Sequence, residues 1–171
     1  MDANTVTAIC ATFIAVISLA VSIQQARAVR EHNRQSVRPL LQLLHSRQRG
    51  GITGIRLVNC GLGPAVITGS VLKLDGRLLG SWDERTVNGF REDLVPRPGV
   101  ATFTEGFALP VGYDEYILSL DDFDPNANAD FWKLIRHRID LEIHYESLYS
   151  GERYKAILPK APPRAPDGRQ A

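Results

Sequence analysis

The chain has 171 residues, of which 44% are hydrophobic and 23% charged, and its formal net charge is +1. These proportions are typical of a folded protein with one hydrophobic core, and they exclude a wholly disordered chain. Cys10 lies in an apolar segment and Cys60 in a predicted strand, which excludes a disulfide framework. The arginines cluster in residues 24–56 instead of spreading over the folded part between aromatics, so we predict no nucleic-acid partner.

The first element is an apolar segment long enough to cross a membrane. Residues 6–23 carry no charge, and as a helix they would extend about 27 Å, close to the thickness of a bilayer's hydrocarbon core. We therefore predict a short non-cytoplasmic tail over 1–5 and a transmembrane helix over 6–24. Arginines follow this segment and none precedes it, so the positive-inside rule predicts a single-pass protein of the inner (plasma) membrane with its C-terminal domain in the cytoplasm.

Other interpretations of this segment stay open. The triplet Ala26-Arg27-Ala28 resembles a signal-peptidase site, and cleavage after it, or an inverted helix, would give an exported or envelope-facing domain. The residues before the segment, MDANT, lack the lysine or arginine of a signal peptide, which favours a retained anchor. A buried helix of a soluble fold is the remaining interpretation.

A basic juxtamembrane helix is predicted over 25–37. This segment contains good helix formers and neither Gly nor Pro, and Arg27, Arg30 and Arg34 fall on one helical face. We expect these three side chains and Arg38 to contact the anionic headgroups of the lipid bilayer. A solvated linker helix is the alternative. The residue before Pro39 avoids the α conformation, so the helix should end there.

Residues 38–158 are predicted to form an antiparallel β-sandwich, which makes the fold class mainly β with one or two short helices. Residues 139–146 alternate apolar and polar side chains, as a strand with one buried face requires. Asp75-Gly76 between two apolar runs favours a type I′ hairpin turn. The short strands follow one another without a βαβ rhythm, which favours antiparallel sheets.

Four segments resemble a known group of proteins. They are SVRPLL (36–41), NCGLGPAVI (59–67), LPVGYDEYILSL (109–120) and YESLYSGERY (145–154). Together they resemble uncharacterised bacterial single-pass membrane proteins, and the Asn-x-Gly-x-Gly-Pro-Ala element is the most specific piece. The resemblance implies one N-terminal transmembrane helix followed by an immunoglobulin-like β-sandwich. That group has no assigned activity, so the resemblance implies architecture and no mechanism.

The Asn-x-Gly-x-Gly-Pro-Ala element itself is typical of a tight corner between strands. Asn59 can bond nearby backbone, Gly61 and Gly63 permit positive φ, and Pro64 restricts the exit of the chain. We therefore predict a structural turn. A phosphate-binding loop would need a helix after it, whereas the following residues are β-branched.

The acidic run over 122–130 places oxygen-bearing side chains at every second position, as a calcium loop does. The sixth and twelfth positions of such a loop need glycine and glutamate, and here they are Ala127 and Lys133. We therefore predict no calcium site. Instead we predict that Asp124 caps a short helix and that Pro125 takes its first position. A second short helix is predicted after a capping box formed by Ser81 and Glu84.

No motif indicates catalysis. The four histidines lack the spacing of a zinc site, and Asp140, Glu142 and Glu146 are interpreted as cross-strand ion pairs with Arg153 and Lys155. We predict no catalytic residue, no metal and no cofactor. The Pro-rich tail over 159–171 is predicted to be disordered. The predicted function is a membrane-tethered, non-enzymatic module that binds a protein partner of unknown identity, and a novel enzyme is the more distant alternative.

Overall fold

A computed structural model describes residues 2–92, 94–148 and 150–160 of the chain. Within these ranges, the side chains of residues 5–8, 10, 30–36, 150 and 151 are not described. The chain divides into two compact units, Met1–Val37 and Arg38–Ala171, which are described separately. Residues 161–171, most of the tail that we predict to be disordered, lie outside the described part.

The first unit is a single helix, α1 (Ala3–Ser36), with Val37 as its C-cap. It continues without a break from the apolar segment into the basic one and ends three residues before Pro39, as the conformational restriction before proline requires. Its most apolar described window is Ala11–Val29, with a mean hydropathy of 1.5 and no part buried within the chain. By length and composition, the described residues thus contain one helix able to cross a membrane.

The second unit is built from strands, of which nine lie in its described part. They are β1 (Leu41–Ser46), β2 (Thr53–Asn59), β3 (Ala65–Leu74), β4 (Arg77–Gly80), β5 (Gly99–Val100), β6 (Ala108–Leu109), β7 (Asp114–Leu120), β8 (Ile139–Ser147) and β9 (Ser150–Ile157). All described pairings between them are antiparallel. This confirms the prediction of a mainly β, antiparallel fold.

The strands form two sheets around one core. Sheet A has the order β1-β2-β7-β5, and sheet B has the order β4-β3-β8-β9, with β6 also paired to β3. Along β8 buried and half-buried side chains alternate from Ile139 to Ser147, which confirms the predicted period of two. The largest fully buried side chains, Trp82 and Phe123 among them, come from the loops as well as from both sheets.

The hairpin between β3 and β4 has the predicted turn. Asp75 and Gly76 are its two loop residues, and their φ angles are 51° and 79°. Both being positive is the mark of a type I′ turn, which glycine adopts freely and aspartate tolerates better than most residues. Arg138 pairs with the Asp75 carboxylate at 2.7 Å and holds the pKa of that carboxyl below its usual range.

The sandwich has two ends, which the strand register defines. At the proximal end the start of β1 meets the connections over residues 59–64 and 110–113 and the β8–β9 hairpin, since Leu41 pairs with Asn59 and Ala65 pairs with Ser147. At the distal end the connections over residues 47–52, 75–76 and 121–138 come together, because Thr53 pairs with Leu120. The chain passes into the sandwich at Arg38, which lies at the proximal end.

Both short helices begin later than predicted. Helix α2 (Glu84–Arg91) is capped by Asp83, whose carboxylate accepts a 2.9 Å hydrogen bond from the Thr86 N–H, and not by Ser81. Asp83 is the cap because its carboxylate lies next to the N–H groups of the first turn, which have no hydrogen-bond partner within the helix.

At Asp124 the structure has the bonds of the predicted cap, but the helix begins later than predicted. Helix α3 (Ala129–Lys133) begins after its N-cap Asn128, and a π-helical turn follows at Leu134–Arg138. The Asp124 carboxylate accepts from the Asn126 N–H at 2.7 Å, and the Asp124 carbonyl accepts from the Asn128 N–H at 2.8 Å. Asp124 thus caps the single turn over residues 125–128, with Pro125 as its first residue, and α3 follows that turn.

Candidate functional site

The outer face of sheet B carries a row of charged side chains. Asp140, Glu142, His144 and Glu146 occupy the half-buried positions of β8. Basic side chains flank this row, because Lys155 and Arg153 on β9 lie opposite His144 and Glu146 in the strand register. We call this surface the charged face; it consists of these side chains and their neighbours on β3.

Several ions of the charged face are paired. Lys160 Nζ lies 2.8 Å from Asp140 Oδ1, and Lys155 Nζ lies 3.5 Å from Glu142 Oε1. His144 Nε2 also lies 2.8 Å from Glu142 Oε1, but the oxygen is off the direction of a ring N–H, so no aligned hydrogen bond forms. The predicted cross-strand ion pairs are thus present for Glu142, and Asp140 pairs instead with Lys160 beyond the end of β9. Such solvent-exposed pairs contribute little to stability.

Two shallow grooves run along the charged face. One has a volume of about 360 Å³ and lies against His144, Glu146, Arg153 and the middle of β3. The other, of about 420 Å³, lies against Asp140, Glu142 and Lys160. They share Val71 on β3, so the two depressions adjoin along one face of the sheet. The charged face thus presents charges of both signs and two adjoining shallow grooves to a binding partner.

The polar side chains next to the grooves serve the fold in part. The Ser70 hydroxyl accepts a 2.8 Å hydrogen bond from the Trp82 N–H, which anchors the segment before α2 to sheet B. Among the described residues, no three His, Cys, Asp or Glu side chains are grouped so as to hold a metal ion. The described side chains of the charged face can therefore offer a ligand ionic contacts and hydrogen bonds.

The arginines predicted to contact lipid are found in both units. Arg27 is exposed on α1, while the side chains of Arg30 and Arg34 lie outside the described part. Arg38 is exposed at the proximal end, and its guanidinium lies 4.8 Å from the centre of the Tyr154 ring. Tyr154 packs in turn on Tyr145 at 5.5 Å between ring centres. The cation–π contact holds Arg38 against β9 on the same side of sheet B as the buried Tyr145.

The predicted corner is organised by Asn59, which is only 2% exposed. Its Oδ1 accepts from the N–H groups of Leu40 and Gly61, at 3.3 and 3.1 Å. The two hydrogens of its Nδ2 serve three carbonyl oxygens, those of Gly63, Leu109 and Pro110 at 2.9, 3.3 and 3.1 Å, so one hydrogen is shared between two of them. One amide group therefore joins three separate connections of the proximal end, which is a larger role than the local turn that we predict from sequence.

Gly61 of this corner is needed for a different reason from the predicted one. Of the described residues with positive φ, none is Gly61 or Gly63. A Cβ at Gly61 would lie 2.3 Å from the Leu40 nitrogen and 2.5 Å from the Arg38 carbonyl oxygen, so close backbone approach requires glycine there. Pro64 leads directly into β3, which begins at Ala65.

A second cluster, at the distal end, was not predicted. His45 Nε2 donates to the Ile135 carbonyl oxygen at 2.7 Å, and its ring meets Trp132 edge-on at 6.2 Å. Arg47 and Arg136 lie 5.2 and 5.4 Å from the centre of the Trp132 ring. The cluster joins β1 to residues about ninety positions later, and no local motif signals such a contact.

Acidification is expected to destabilise the protein through His45. Burial, reinforced by repulsion from Arg136 and His137, lowers the pKa of His45 although its bond to Ile135 opposes the shift. Because the unfolded chain then takes up a proton that the folded chain refuses, stability is full above about pH 6.5 and falls below it. Unfolding of the full chain in detergent between about pH 7 and pH 5 measures the slope. His45→Gln should flatten it, and the control His144→Gln on the outer face of sheet B, which is not among the groups that shift His45, should not; equal slopes in all three proteins would contradict the assignment.

The chain was compared with protein families, curated proteins and solved structures. No family model, curated protein or solved structure matches the chain. The charged face, the proximal end and α1 are therefore the features on which a functional proposal has to rest.

Proposed function

We propose that this chain is a membrane-tethered, non-enzymatic module that binds a protein partner through its charged face at the inner surface of the plasma membrane. The charged face carries the proposal. Its ions are solvent-exposed and of both signs, and its grooves are shallow and continuous. Such a surface matches the charge pattern of another protein better than it encloses a small molecule, which usually binds in a deeper, mostly apolar pocket.

The tether is supported by α1. Its large apolar side chains between Ile9 and Val29 are exposed in the described part of the helix. Apolar surface of this extent is unfavourable in water and favourable in a hydrocarbon layer. A module held at a membrane meets other membrane-bound proteins at a raised effective concentration, so a modest intrinsic affinity is sufficient for binding.

An immunoglobulin-like topology is the form of sandwich that the strand order favours. If β1, β2, β7 and β5 are labelled A, B, E and D, sheet A reads ABED; β4, β3, β8 and β9 then become C′, C, F and G of the second sheet. This order supports the proposed membership of the bacterial single-pass group described above. The charged face is the outer face of the CFG strands in that labelling.

The side of the membrane is proposed from the arginines. Arg27 lies near the C-terminal end of the apolar window, Arg30, Arg34 and Arg38 follow it, and the described residues before it, 2–10, contain no basic residue. The positive-inside rule then places the sandwich in the cytoplasm, where these side chains meet anionic headgroups.

A second candidate function is an exported, envelope-facing sandwich. The triplet Ala26-Arg27-Ala28 favours it, since cleavage there would release the chain from the membrane. In that case the charged face would meet partners outside the cytoplasm.

Photo-crosslinking in intact cells tests the proposed binding face. A photoreactive amino acid at Val71, which lines both grooves, should capture one recurrent protein. The matched control is Leu44, an exposed apolar residue of β1 in the other sheet, which should capture nothing recurrent. Deleting residues 1–35 should abolish the crosslink, and a foreign single-pass anchor of the same orientation should restore it. Equal crosslinking from Val71 and Leu44, or turnover of a substrate by the purified chain, would contradict the proposal.

A further inference from the structure

Three groups of hydrogen-bond donors lie together at the distal end of the sandwich. The guanidinium groups of Arg47 and Arg136 lie 5.2 and 5.4 Å from the centre of the Trp132 ring. Among the described residues, neither guanidinium has an ion pair or a side-chain hydrogen bond, and the indole N–H of Trp132 has no acceptor. Guanidinium and indole groups donate hydrogen bonds and accept none. We call Arg47, Trp132 and Arg136 the distal cluster.

The fold fixes the positions of these groups while leaving them accessible. Arg47 is exposed, Trp132 and Arg136 are half-buried, and Trp132 packs on the buried Phe123 at 6.5 Å between ring centres. Arg136 belongs to the π-helical turn, and the hydrogen bond from His45 to the preceding carbonyl oxygen ties this turn to β1. Such π-helical turns are rare and are often found at functional sites. Arginines already stacked on a ring lose less side-chain freedom when they bind a ligand.

The distal cluster carries positive charge that no carboxylate of the described residues neutralises by an ion pair. Two guanidinium groups beside one ring repel each other. Repulsion from Arg136 also contributes to the lowered pKa of His45, after the larger effect of burial. An anion that contacts both guanidinium groups would remove this repulsion and provide the missing acceptors.

The donors of the distal cluster match a phosphoryl group better than a carboxylate. One guanidinium is sufficient for a carboxylate, because a single bidentate pair uses both of its oxygens. A phosphoryl group has three free oxygens and close to two negative charges, so it can accept from two guanidinium groups at once.

The carboxylates around the distal cluster indicate the size of the ligand. Asp122 and Asp124 flank Phe123 in the chain, Asp130 lies two positions before Trp132, and all three aspartates are exposed. Like charges repel, so these aspartates disfavour an extended anionic surface such as a nucleic acid or an anionic membrane. A compact anion can contact the arginines without lying against the aspartates.

We infer that the distal cluster binds the phosphoryl group of a small soluble phosphate compound, with Arg47 and Arg136 as paired donors and Trp132 as the ring that holds them. This site goes beyond the proposed function, because none of its residues belongs to the charged face and it needs no particular placement of α1. A ligand bound here would connect residues 47–52 to the π-helical turn and stabilise the folded sandwich.

NMR of the indole N–H groups tests this site, because Trp82 and Trp132 are the two tryptophans of the chain. The full chain, labelled with nitrogen-15 at tryptophan, is titrated with inorganic phosphate in a phosphate-free non-ionic detergent at constant ionic strength. The Trp132 signal, assigned by its loss in Trp132→Phe, should shift with a dissociation constant of about 1 mM or below, as two charge-assisted pairs imply. Trp82 is buried and bonded to the Ala101 carbonyl oxygen, so its signal should stay in place.

Matched variants separate the site from a general effect of charge. Arg47→Gln and Arg136→Gln should each weaken phosphate binding at least about tenfold. Arg136→Lys keeps the charge and loses the fork of donors, so it should weaken binding as well. Arg85→Gln, which changes an exposed arginine of α2, should leave the affinity unchanged. An unshifted Trp82 signal in each variant shows that the sandwich is folded.

Three results would overturn the inference. The first is a Trp132 signal that does not move up to about 10 mM phosphate, including the case in which an oligonucleotide moves it and phosphate does not. The second is an equal response to acetate, because a carboxylate would then serve as well as a phosphoryl group. The third is unchanged phosphate affinity in folded Arg47→Gln and Arg136→Gln, because the arginines would then not be the donors.

Discussion

Asn59→Ala is expected to destabilise the sandwich by about 3–4 kcal/mol, because two bonds accepted by Oδ1 and two donated by Nδ2, one of them shared between two carbonyl groups, are lost at roughly 1 kcal/mol each. The buried carbonyl groups of Gly63 and Leu109 would lose this partner. Chemical unfolding of the full chain in detergent, followed by the fluorescence of the buried Trp82, gives the change in free energy.

Two further variants separate the role of the amide from that of the residue's size. Asn59→Asp keeps the oxygen that accepts from Leu40 and Gly61 but turns the other oxygen towards three carbonyl groups, so at neutral pH it should be at least as damaging as alanine. Asn126→Ala removes an exposed asparagine side chain and should change the free energy of unfolding by no more than about 0.5 kcal/mol. A loss below about 1 kcal/mol for Asn59→Ala would show that the corner does not depend on this residue.

Moving the three arginines of α1 is expected to invert the protein. In this variant Arg27, Arg30 and Arg34 become glutamine, and three of the first five residues become arginine. The basic residues near the ends of a helix bias its orientation, so the variant should place the sandwich on the outer side of the membrane. A control with the three glutamines and no new arginines should give a mixture of orientations. Reporter fusions at the C-terminus measure the side, and an unchanged orientation would mean that another part of the chain determines it.

What the sequence predicts well is the structure that short segments determine. The alternation in residues 139–146 reflects one buried and one wet face, and the Asp75-Gly76 pair suits two positive φ angles. The helix formers before Pro39 likewise predict that α1 continues beyond the apolar segment. In each case the conformation is determined by residues close together in the chain, so a single sequence is sufficient to predict it.

The helix starts show where local patterns mislead. Asp124-Pro125 has the composition of a helix start and Asp124 caps a turn, yet α3 itself begins only after Asn128. The residues that follow, Phe131, Leu134 and Ile135, are buried in the core. That packing involves strands far away in the chain, which no local pattern describes.

The candidate sites depend on sheet order, which the sequence does not reveal. The bonds of Asn59 reach Leu40, 19 positions earlier, and Pro110, 51 positions later. The charged face likewise exists because β8 lies between β3 and β9. The sequence alone predicts the acidic side chains of β8 and the basic side chains of β9 that face them. The two grooves that share Val71 also depend on the pairing of β8 with β3, which the sequence does not predict.

The most direct test of the account is the side of the membrane on which the C-terminus of the unaltered chain lies. Alkaline phosphatase and a fluorescent protein that matures only in the cytoplasm are each fused after Ala171. A retained helix with the sandwich inside predicts bright fluorescence, an inactive phosphatase and an uncleaved N-terminus in the membrane fraction. An active phosphatase with a dark fluorescent fusion, or a mature protein that begins at Val29, would contradict it.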